Sequence, residues 1–73
     1  MKTFQTGKNY TAYQHPIAGL IVQSTRKSGP ADWPVNKGIV MKPDHPQFAD
    51  WIEGFETAID SDEADALCKA LLN

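Results

Sequence analysis

The apolar positions along this chain change period once, near residue 43. Before it they follow the period of strands. Phe4 stands among Thr3, Gln5 and Thr6, a short strand ended by the turn signal Gly7. Residues 9–13 alternate Tyr10 and Ala12 against Thr11 and Tyr13, the pattern of an edge or half-buried strand. His15-Pro16 ends it, because proline drives the preceding residue out of helical geometry. Residues 17–25 predict the strongest strand. They are rich in β-branched side chains, and Leu20, Ile21 and Val22 in succession imply burial on both faces or one bulge. Residues 28–37 hold Gly29, Pro30 and Pro34 and read as a loop, within which Trp33 either plugs the core or stands exposed as an anchor. Residues 39–42 form a further β-type run, stopped by Pro43.

After residue 43 the period becomes helical. Asp44 is a candidate cap, and Pro46 suits a first turn, where its missing N–H has no partner to lose. Phe48, Trp51, Ile52, Phe55 and Ile59 follow at spacings that place all five on one helical face. Gly54 sits inside this helix at a cost of about 1 kcal/mol relative to Ala, which close packing would explain. Ser61 opens a second helix. Asp62, Glu63 and Asp65 lie in its first turns, where carboxylates complement the helix dipole, and Ala64, Leu67, Cys68, Leu71 and Leu72 form its apolar face. The expectation is an α+β fold in one domain over residues 1–73. A small antiparallel sheet of three to four strands (Phe4, 10–13, 17–25 and 39–42) packs against two C-terminal amphipathic helices. The expected core is Phe4, Leu20, Val22, Ile39, Trp51, Ile52, Phe55, Ile59, Leu67 and Leu71.

Charge follows the same division. Residues 1–42 carry six cations and Asp32, a net +5, whereas residues 43–73 carry Lys69 and eight carboxylates, a net −7. The whole-chain charge of −2 hides this separation, which concerns fields and partners, not the fold. Cys68 is the only cysteine, so no disulfide forms within the chain, and its apolar register reads as a small buried hydrophobe. The first residues lack the apolar core of a signal peptide, and the longest apolar run, 17–22, falls far short of the roughly 20 residues that span a bilayer. The expected location is therefore the cytoplasm.

Catalysis finds little support. His15 and His45 each precede a proline and lack a second ligand at zinc spacing, so both read as surface or capping residues, and no metal or cofactor is expected. Ser24 and Lys27 match Ser-x-x-Lys without the further motifs that make it meaningful. The many carboxylates fall on helix exteriors, where no pocket shifts their pKa values. The chain therefore reads as non-enzymatic. Lys8, Tyr10, Tyr13, Arg26, Lys27 and Trp33 combine cations with aromatics and are the candidate partner contacts. The same residues suit a module for single-stranded nucleic acid, with tyrosines stacking on bases. A third reading is an inhibitor or adaptor that mimics nucleic acid through Asp50, Glu53, Glu56, Asp60, Asp62 and Glu63.

The length, the Lys2-Thr3-Phe4 start, the basic tyrosine-bearing strands and the acidic helical tail resemble the small transcription regulators of Xanthomonas bacteriophages. The resemblance implies a monomeric protein that binds the core subunits of host RNA polymerase, inhibits promoter-dependent initiation and alters termination. It implies no catalytic residue.

Overall fold

The structure is a computed structural model that describes residues 2–4, 9–29, 32–58 and 61–73, with the backbone alone at residues 2, 3 and 61. Four strands form an antiparallel sheet in sequence order: β1 (Lys2–Thr3), β2 (Tyr10–His15), β3 (Gly19–Ser24) and β4 (Gly38–Met41). Two helices follow, α1 (Phe48–Thr57) and α2 (Ser61–Leu72), completing the α+β arrangement. Tyr10 pairs with Ser24 and His15 with Gly19, without interruption between. Leu20 to Gln23 pair continuously with Met41 to Gly38. The apolar triplet therefore contains no bulge. Leu20 and Val22 point into the core, and Ile21 points to the opposite face, half-buried.

The β2–β3 turn closes on its own side chain. His15 Nδ1 accepts the amides of Ile17 at 3.1 Å and Ala18 at 3.0 Å. Gly19 completes the turn at φ +100°, and a Cβ there would collide with the carbonyl oxygen of Met41. His45 repeats the device before α1, accepting the amide of Gln47 at 3.0 Å. Here the structure corrects one expectation. Asp44 does not cap α1; the helix begins at Phe48 after Gln47, which makes no side-chain cap bond. The His45 turn occupies residues that a longer helix would have used.

Helices cover one face of the sheet. The fully buried residues are Tyr10, Ala12, Leu20 and Val22 from the strands and Ala64, Cys68 and Leu72 from α2, joined by Phe55, Met41 and Trp33. Ala64, Cys68 and Leu72 lie four residues apart along one line of α2. The first two are small, which admits the helix close to the sheet. Leu67 and Leu71, expected at the centre, instead flank this line half-buried, as do Trp51 and Ile52 on α1. Phe4 and Ile39 likewise pack half-buried against the core, and Ile59 lies outside the described residues. Phe4 closes the near end, its ring centroid 5.6 Å from that of Phe55.

The β3–β4 loop is strapped down. Trp33 is 9% exposed, and its indole Nε1 donates to the carbonyl of Asn9 at 3.4 Å. Ser24, buried, donates through Oγ to Pro34 O at 2.6 Å, and the amide of Ser24 donates to Lys37 O at 2.6 Å. Asn36 adopts φ +48°, a conformation asparagine tolerates, and its amide donates to Arg26 O at 2.9 Å. Among the described residues, no helix is long and apolar enough to cross a membrane.

Truncating a buried tryptophan removes its burial energy and leaves a cavity, at about 3–5 kcal/mol. Small domains hold only about 5–15 kcal/mol in total. Trp33→Ala is therefore expected to lower the urea midpoint sharply, with loss of cooperative unfolding at elevated temperature in circular dichroism.

Candidate partner-binding surfaces

The six candidate contacts do not form one face. Lys8 lies outside the described residues. Tyr10 and Tyr13 emerge on opposite sides of β2, three residues apart on a strand of period two. Tyr10 is fully buried against α2, so its place among surface contacts is corrected to the core. Its hydroxyl has no hydrogen-bond partner among the described residues, nor does the buried Oδ1 of Asp65. Burial, with Cys68 and Asp65 close by, pushes the Tyr10 hydroxyl up to about 12. Burial and Asp65 push the Cys68 thiol up to about 12, so Cys68 is an inert packing group. Burial, then the neighbouring charge of Asp62, raises the Asp65 carboxyl above its usual 3.8.

Trp33 is likewise corrected from a contact to a plug. Arg26 curls back on its own loop, with Nε donating to Ser28 O at 3.1 Å and the guanidinium lying over Gly29. Lys27 is exposed beside it. The bonds from Ser24 to Lys37 and from Asn36 to Arg26 gather Arg26, Lys27 and Lys37 at one end of the sheet. The cations therefore mark an end, and Tyr13 alone of the aromatics stands on the open face. The loop does not project Trp33 or Arg26 from the scaffold, although Lys27 and Lys37 are exposed. It is tied again at Asp32, whose carboxylate accepts from Lys69 Nζ on α2 at 3.1 Å. The hydrogen bond and charge of Lys69 hold the Asp32 carboxyl below its ordinary value.

Two other surfaces emerge. The sheet face away from the helices carries Thr11, Tyr13, Ile21, Gln23 and Val40. Tyr13, Ile21 and Val40 stand in line across three strands. No carboxylate occurs on β1–β4. Val40 is 57% exposed, and the missing side chain of Gly38 leaves a shallow depression of about 200 Å³ between Gln23, Ile21 and Val40. The second surface is a groove of about 420 Å³ between α1 and α2, floored by Gly54, Ala58, Ala66, Leu67 and Ala70. Among the described residues Tyr13 is the one candidate contact on either surface, and the groove holds none. The signals available were the strand alternation that turns Ile21 and Val40 outward, and the small residues one helical turn apart at Gly54 and Ala58 and at Ala66 and Ala70.

Three substitutions test the buried polar cluster and the core around it. Asp65 binds its proton more tightly in the folded chain than in the unfolded one, so the carboxylate opposes folding fully at neutral pH. That opposition fades as the pH falls through the raised pKa and is gone below the unfolded value of 3.8. Asp65→Asn is expected to unfold at higher urea than the natural chain at neutral pH, with the difference shrinking in acid. Tyr10→Phe removes a buried hydroxyl that lacks a partner and is expected to match or exceed the natural stability in the same measurement. Tyr10→Ala is expected to lose about 3–5 kcal/mol as a folding mutation.

No protein-family model matches the chain, and no curated protein or solved structure is significantly similar to it.

Proposed function

We propose that this chain is a non-enzymatic regulator that binds the core of bacterial RNA polymerase, inhibits promoter-dependent initiation and alters termination. The likeness to phage transcription regulators supplies the partner. The observation that carries the reading is the open sheet face, where Tyr13, Ile21 and Val40 align without a carboxylate while the acidic residues ride on the helices behind. Contiguous apolar area rimmed by polar groups marks protein docking sites, and tyrosine is among the residues that anchor them. Carboxylates on the helices and the cations Arg26, Lys27 and Lys37 at one end of the sheet separate charge across so small a body, which orients it on approach to a large charged partner. A surface held this way works by occupying ground that an initiation factor or nascent RNA needs, and no bond is made or broken.

The test is promoter-dependent transcription by purified bacterial polymerase, run beside retention of the enzyme on the immobilised chain. The natural chain is expected to retain polymerase and suppress transcripts. Val40→Glu and Tyr13→Ala, both away from the core, are expected to weaken retention and inhibition by about tenfold or more. Asp44→Asn, exposed ahead of α1, is expected to change neither. Failure of the natural chain to retain polymerase overturns the reading. Full activity of Val40→Glu moves the contact to another face.

A further inference from the structure

The α1–α2 groove belongs to neither the core nor the open sheet face. Its volume of about 420 Å³ falls within the range of about 300–1,000 Å³ of ligand pockets. The groove exists because both walls are built from small residues. Gly54 lies in the last turns of α1 and Ala58 is the residue that caps it, its amide donating to Gly54 O, while Ala66 and Ala70 stand one turn apart on α2. A Cβ on Gly54 would rest 3.4 Å from Leu67 Cδ2, an ordinary contact, so the helices do not need glycine there to fit together. Glycine keeps the groove open.

The rim has one sign of charge. Glu63 lines the groove, while Asp50, Glu53 and Asp62 each lie one helical turn before the lining residues Gly54, Thr57 and Ala66. All four are exposed. The one cation on either helix, Lys69, is engaged with Asp32 of the β3–β4 loop. An apolar floor with an anionic rim repels phosphates and suits a cationic, partly aliphatic chain. We propose that this groove is a second docking site, and that its occupant is a basic amphipathic helical segment of a partner protein. Aliphatic side chains of that segment fill the floor over Ala66 and Ala70, and its Lys or Arg residues meet Glu53, Asp62 and Glu63. The inference stands apart from the polymerase reading, which uses the sheet face.

The experiment follows backbone amides of the full chain by NMR during titration with a short amphipathic peptide of Lys and Leu. A Lys–Ser peptide of equal length and charge serves as comparison. The expected result is saturable shifts centred on Gly54, Ala58, Ala66 and Ala70, and weaker binding of the Lys–Ser peptide by about tenfold. Ala70→Tyr, at an exposed helix position that tolerates substitution, fills the groove and is expected to weaken the Lys–Leu peptide by about tenfold, with unchanged unfolding midpoint. Ala66→Lys places a cation on the groove floor and is expected to do the same. Equal binding of both peptides overturns the proposal, since charge alone would then explain it. Shifts centred elsewhere, or an unimpaired Ala70→Tyr, also overturn it. Shifts of these amides with protein concentration alone, before any peptide is added, assign the groove to a second copy and overturn the basic-segment occupant.

Discussion

The structure depends on one seam, where Ala64, Cys68 and Leu72 of α2 lie on Tyr10, Ala12, Leu20 and Val22. All seven are essentially excluded from solvent. Complete burial of a large aliphatic side chain contributes about 1.5–3 kcal/mol, so the seam outweighs any surface ion pair in this chain. Its closeness comes from small residues. A larger side chain at Ala64 or Cys68 would lift the helix and loosen the strands from their cover. The cost of closeness is polar. The Tyr10 hydroxyl and Asp65 Oδ1 end up buried at the same seam without partners among the described residues.

This arrangement decides what remains for function. Two short helices cover one side of a four-stranded sheet, and among the described residues no element packs on the other side. Residues that face outward on the strands are therefore available by default, and those on the helices carry the acidity. The loop between β3 and β4, which composition would free for recognition, is instead spent on closing the core with Trp33. Its two outward ties, to Asn9 through the indole and to Lys69 through Asp32, make it a strap across the sheet end.

Periodicity made most of the architecture readable. Strand alternation and helical spacing gave the order of elements, and the paired carboxylates after Ser61 marked the start of α2. Two kinds of information were less visible. One is rotation. The apolar face of α2 was evident, but which line of it meets the sheet depends on close approach, which favoured Ala64 and Cys68 over the bulkier Leu67 and Leu71. The other is the destination of amphipathic aromatics. Tyr10 and Trp33 have the chemistry of binding anchors and the volume of core residues, and a chain with few large aliphatics used them as the latter. The alternation of residues 10–13 already held part of the answer, because it puts Tyr10 and Tyr13 on opposite faces. Surfaces defined by what is missing, such as the groove beside Gly54, arise from helix packing and have no local sequence mark beyond small residues in register.

The two tryptophans occupy different settings. Trp33 is enclosed by the loop over the end of a meander whose strands pair only with sequence neighbours. Trp51 rides on α1, half-buried, its ring centroid 6.4 Å from that of Phe55. The chain thus carries two built-in fluorophores, one seated in the strap at the sheet end and the other in the helical layer.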